Sequence, residues 1–135
     1  MWVEARFGPN CDILDSFLTN RGLKTLHVRM PYIADSAKKC AEWLESNERI
    51  ETVTFPGLPS HPQYQLVKSM CRGVPGMISF RIKGDLEQTM NFFKSLKIFT
   101  LAFSLGGFES LLEHPSSMTH GSVPAATRAE MGIYE

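Results

Sequence analysis

The sequence predicts an α+β fold: an antiparallel-rich sheet with helices on one face. Three observations carry this. Candidate elements follow in the order helix, strand, helix, strand, helix, two strands, helix, the pattern of segregated α and β rather than of strict βα alternation. Leu26, Met30, Ile33, Ala37, Ala41 and Leu44 recur at three- or four-residue intervals, a helical stripe. Met77 to Lys83 alternates Ile78, Phe80 and Ile82 against Met77, Ser79, Arg81 and Lys83, a strand with one buried face.

Taken in order, Asp12 to Leu18 reads as a helix with Ile13, Leu14, Phe17 and Leu18 on one side. Asn20-Arg21-Gly22 reads as a break or a tight corner before the long stripe from Leu23 to Leu44. Pro31 falls inside that stripe, where its ring and missing N–H cost about 3 kcal/mol in a helix interior. A kink near Val28 to Met30, or a restart capped by Asp35 or Ser36, is therefore expected. Ile50 to Phe55 is rich in β-branched residues and reads as a strand ended by Pro56-Gly57-Leu58-Pro59. Ser60 and Gln63 have capping-box spacing for a helix to Cys71, and Arg72 to Gly76 is loop-like. Asp85 caps a helix to Leu96 whose apolar face is Leu86, Met90, Phe93 and Leu96. Ile98–Phe103 and Phe108–Leu112 supply two further strands, and Ser122-Val123-Pro124 opens a last helix ending at Met131-Gly132. Ala125 stands where a Glu would complete a capping box, which weakens that start by up to about 1 kcal/mol. Met77, Met90, Phe92, Phe93 and Phe99 recur at strand or helix periods and are expected in the core.

The 14 basic side chains balance 14 acidic ones, so no global field draws the chain to nucleic acid or to an anionic membrane. No apolar run approaches the roughly 20 residues of a membrane helix, and no secretory signal is visible. Cys11, Cys40 and Cys71 have no CxxC spacing, so free thiols in a reducing compartment, the cytoplasm, are expected. His27, His61, His114 and His120 lack metal-ligand spacing, and no metal site is expected; His120 reads as a structural histidine.

Chemistry concentrates between Phe99 and His120. Ser104-Leu105-Gly106-Gly107 follows one apolar run, and Glu113-His114-Pro115 follows the next. A serine before paired glycines can present a hydroxyl and free N–H groups to an anion. By itself such a turn is more often a hairpin or bulge. Phe103 reads either as a pocket residue or as an extension of the strand face begun by Phe99 and Leu101.

The segments SLGG, EHP and MTH in this stretch, with RGLKTLHVRM (Arg21 to Met30), FPGLPSHPQY (Phe55 to Tyr64) and the Met131-Gly132-Ile133 ending, resemble the pyridoxal phosphate (PLP)-dependent Cys/Met-metabolism enzymes of trans-sulfuration, and within them the cystathionine gamma-lyase branch. The resemblance runs from about residue 14 to 133. It implies a divergent segment at 1–13 and, at 14–135, the family's C-terminal small domain without its last strand and helix, with 14–45 as connecting helices.

That resemblance implies a carbon–sulfur lyase that uses PLP on a sulfur amino acid, cystathionine giving cysteine, 2-oxobutanoate and ammonia. It places Ser104 and Leu105 at the substrate carboxylate, Thr119 in a loop near the active site, and Phe103 where gamma-lyases carry a glutamate that tunes specificity. No lysine matches the family's cofactor lysine; Lys24 corresponds to a structural position. The family's carboxylate-binding arginine follows the MGI helix and is not among residues 1–135. A serine hydroxyl does not replace a bidentate guanidinium. The chain by itself is thus expected to hold no catalytic residue and to be inactive, acting with a large-domain partner or as a homo-oligomer. The alternative is a degenerate, non-catalytic domain that assembles through an open sheet edge.

Overall fold

The computed structural model describes residues 12–104 and 107–134. They divide into two compact units: residues 12–47 with 53–80, and 48–52 with 81–134.

In the first unit, α1 (Ile13–Leu23) starts at Asp12, whose carboxylate accepts from the Ile13 N–H at 2.6 Å. The helix runs through Asn20-Arg21-Gly22, where the sequence suggested a break or a tight corner. The chain turns instead at Lys24-Thr25, because Arg29 clamps the joint: its Nη2 donates to the Gly22 carbonyl at 2.8 Å and its Nε to Thr25 Oγ1 at 3.3 Å. α2 (Leu26–Glu45) is one continuous helix with Pro31 inside it. The expected restart at Asp35 or Ser36 does not occur. Asp35 instead pairs with Lys39 at 2.7 Å, and this hydrogen bond and charge hold the Lys39 ammonium above its ordinary pKa.

The core of this unit is where α2 meets the Phe55–Leu58 turn. Ala37, Ala41, Phe55 and Leu58 are buried together, with Val53, Val74 and Ile78 packed against them. Only the C-terminal half of the predicted stripe is covered; Leu26 and Met30 are exposed. Gly57 is required by close approach, since a Cβ there would stand 2.5 Å from Cε1 of the fully buried Phe55 ring. The predicted capping box does not form. Ser60 donates to Glu45, and α3 (Tyr64–Met70) begins after Gln63, which makes no side-chain cap.

β1 (Ile50–Thr54) pairs with β2 (Ser79–Ile82). Lys83 N–H donates to Arg49 C=O at 2.8 Å and Arg81 lies 3.4 Å from Glu51, so residue numbers run in opposite senses and the pair is antiparallel.

In the second unit, α4 (Leu86–Ser95) carries a full capping box: Gln88 N–H donates to Asp85 at 2.9 Å and Asp85 N–H to the Gln88 side chain at 3.3 Å. β3 (Thr100–Leu101) and β4 (Leu111–Leu112) pair in parallel. α5 (Ala125–Glu130) starts at Pro124, not at Ser122 as the capping-box spacing assumed, has no side-chain cap, and stops at Gly132, whose φ of +77° is left-handed.

The α+β class therefore holds, with two corrections. Among the described residues the strands form two separate two-stranded ladders rather than one sheet, and one ladder is parallel. Met90, Phe92 and Phe93 are half-buried, but Met77 is 62% and Phe99 40% exposed, so these two are not core. Both stand just before short strands.

Pro31→Ala restores an N–H to the continuous α2 and is expected to stabilise the chain by about 1–3 kcal/mol, read from urea unfolding by circular dichroism. Gly57→Ala is expected to destabilise it by about 1–3 kcal/mol in the same measurement, because the added methyl would force the fully buried Phe55 ring to shift.

Candidate functional site

The site is set by the direction of β3 and β4. Thr100 lies opposite Leu111 and Leu101 opposite Leu112. Thr100 N–H donates to Ser110 C=O at 3.0 Å and Ala102 N–H to Leu112 C=O at 3.1 Å. Because the strands are parallel, the segment beginning at Phe103 and the segment beginning at Glu113 leave the same end of the ladder. An antiparallel hairpin would have sent them to opposite ends. The carboxyl ends of parallel strands are where loops most readily build a ligand site.

Phe103 and Ser104 follow β3, and both are exposed; the Phe103 side chain keeps 63% of its surface. With Phe99 and Leu101 exposed too, Phe103 does not extend a buried strand face. Leu105 lies outside the described residues. Thr119 is exposed, with its Oγ1 2.9 Å from Nδ1 of His120. The described site residues therefore offer two hydroxyls and one aromatic ring but no charge.

What holds the second segment is His114. It is 8% exposed and stands edge-on to Phe93 of α4, centroid to centroid 6.0 Å. Its Nδ1 is 2.8 Å from Ser117 Oγ, and Ser116 Oγ reaches the same ring at 3.2 Å. The Ser117 and Met118 N–H groups donate to its carbonyl at 3.2 and 3.0 Å. The ring thus pins the turn that leads to Thr119. Beside it, Oε2 of Glu113 is buried with no hydrogen-bond partner among the described residues. Sequence reasoning passed over His114. Its neighbours in His-Pro-Ser-Ser, two hydroxyls within reach of one imidazole, were the available signal.

Among the described residues no three His, Cys, Asp or Glu side chains gather as a metal site, and no helix is long and apolar enough to cross a membrane.

The family model of the Cys/Met metabolism PLP-dependent enzymes matches residues 1–135. The chain belongs to this family. It is 56% identical over 120 residues to cystathionine gamma-lyase of Sus scrofa and 55% to that of Homo sapiens, each match covering 89% of the chain and 30% of the relative. The Dictyostelium discoideum cystathionine gamma-lyase is 50% identical over 119 residues, 88% of the chain and 31% of the relative. The chain thus spans about a third of the length of these curated relatives. A crystal structure of cystathionine gamma synthase from Xanthomonas oryzae pv. oryzae, in complex with aminoacrylate and cysteine, matches with a TM-score of 0.89 at 40% identity, covering 98% of the chain and 34% of that protein.

PLP is the family's cofactor. Such a cofactor needs a lysine in an enclosed site to hold it. All seven lysines of this chain are exposed, so its described residues do not form that cradle.

His114→Ala is expected to cost about 1–3 kcal/mol, since it leaves Ser116 and Ser117 without their shared partner. Amide hydrogen exchange should quicken at residues 116–121 and stay unchanged in α2. Uniform exchange across both would show that the ring does not pin this turn.

Proposed function

We propose that residues 14–135 are the C-terminal small domain of a PLP-dependent carbon–sulfur lyase acting on a sulfur amino acid, with 14–45 as its connecting helices. The reaction fitting this reading is cleavage of cystathionine to cysteine, 2-oxobutanoate and ammonia. The observation that carries it is the identity to cystathionine gamma-lyases, 50–57% over most of the chain. The parallel ladder supports it, because it sends the Ser104 and Thr119 segments from one end.

In this reading the Ser104 hydroxyl and the N–H groups of the following residues bind the substrate α-carboxylate. Phe103 gives that wall an apolar ring, which excludes water and carries no charge with which to select a proton state. Thr119 bounds the other side, held by the turn that His114 pins. The cofactor lysine and the guanidinium for the carboxylate come from outside these residues, so the chain alone is inactive. Exposed thiols at Cys40 and Cys71 fit a reducing compartment, the cytoplasm.

One observation favours an assembly role beside this one. Ile13, Leu14, Phe17, Leu18 and Leu23 of α1 are all exposed, Ile13 by 86%. An apolar helix left uncovered fits a large domain or a second copy that packs over it.

Incubated with PLP and cystathionine, the purified chain is expected to release no 2-oxobutanoate beyond PLP in buffer. Turnover above that level would overturn the statement of inactivity. A sizing column that shows only monomer at micromolar concentration would remove self-assembly as the reason for the apolar α1.

A further inference from the structure

Within the first unit, α2, the Pro56-Gly57 turn, α3 and the loop after it line an open cavity of about 400 Å³. Its wall carries three cations, Lys38, Lys68 and Arg72, against one acid, Asp35. Asp35 is already matched by Lys39 at 2.7 Å, and Lys39 is not part of the wall. Lys38 has only a loose, half-exposed partner, Glu42, at 3.8 Å. Lys68 lies 5.9 Å from the centroid of the Tyr64 ring, and among the described residues Arg72 makes no ion pair or hydrogen bond. The carboxyl end of α3 adds at most a fractional negative charge, and the Cys71 N–H already occupies its Val67 carbonyl at 2.8 Å. The cavity is therefore a positive well with an aromatic wall.

We propose that this cavity binds a small organic phosphate, the phosphoryl group on Arg72 and Lys68 and the organic part against Tyr64. A guanidinium fork and an ammonium match phosphate oxygens in charge and geometry. The volume lies in the range of small-ligand sites, roughly 300–1,000 Å³, and exceeds what inorganic phosphate fills. This site is built by residues other than those at the β3–β4 ends and does not rest on the lyase reading.

Cys71 lines the cavity, while Cys40 is exposed on α2 and does not, so the chain carries its own reporter and control. Alkylation by anionic iodoacetate and neutral iodoacetamide is followed at each cysteine by peptide mass spectrometry. The rate ratio at one thiol is independent of its ionisation. The ratio at Cys71 is expected to exceed that at Cys40 by about threefold to tenfold, as field focusing in a cleft allows. It should fall to the Cys40 value in Lys68→Ala/Arg72→Ala, whose substituted side chains are both exposed and whose fold is checked by circular dichroism.

Titration calorimetry with ADP, ribose 5-phosphate and inorganic phosphate then identifies the ligand class. One of the two organic phosphates is expected to bind at least tenfold more tightly than inorganic phosphate, weakening about tenfold in Arg72→Ala and less in Arg72→Lys. Equal reagent ratios at the two cysteines, saturable binding by neither organic phosphate, or affinity unchanged in Arg72→Ala would each overturn the proposal.

Discussion

Phe55 and Leu58, packed on Ala37 and Ala41, are the contact on which the first unit depends. Phe55 and Leu58 are the largest fully buried side chains, each contributing roughly 1.5–3 kcal/mol by leaving water. The contact works because the helix offers small residues at i and i+4, so the turn can come close. Gly57 then lets the chain fold tightly over its own Phe55 ring. α2 stays helical through Pro31 and presents that face from its C-terminal half. The proline costs one hydrogen bond upstream of the packed half, and the Arg29 clamp holds the end it would otherwise loosen.

The second unit relies on direction rather than on depth of burial. α4 has no buried residue, and each strand of the β3–β4 ladder is two residues long. Local bonds carry this unit: the Asp85–Gln88 box starts α4, and His114 ties the turn after β4 to Phe93. Arg128 is buried, with Nη1 donating to Val123 C=O at 2.7 Å, and so closes α5 back on its own entry. A unit held this way keeps its loops in place while leaving apolar strand residues uncovered.

Charge is distributed unevenly although the chain is neutral as a whole. The segment after β3 presents a hydroxyl at Ser104 and an aromatic ring at Phe103, neither of them charged. The cavity beside α3 gathers three cations around one acid already paired elsewhere. Net charge reports on neither, because opposite charges cancel in a sum over the chain and not at a site.

Much of this was legible in the residues themselves. Asp85 and the Met77–Lys83 alternation act through neighbours three or fewer positions away, and local geometry settles them. The family motifs were legible too, since they are strings of side chains. Other outcomes lay beyond local reasoning. Asn20-Arg21-Gly22 stayed helical because Arg29, seven residues past Gly22, supplies a donor to its carbonyl. Ser60 abandoned its capping box because Glu45 lay within reach. The sense of β3 against β4 was decided by pairing between residues eleven apart, and with it whether the segments starting at Phe103 and Glu113 leave the same end. The amino-acid order determined the family, the helices and the chemistry available. Tertiary contacts alone decided which polar groups find partners and which loops emerge together, because those depend on segments meeting in space.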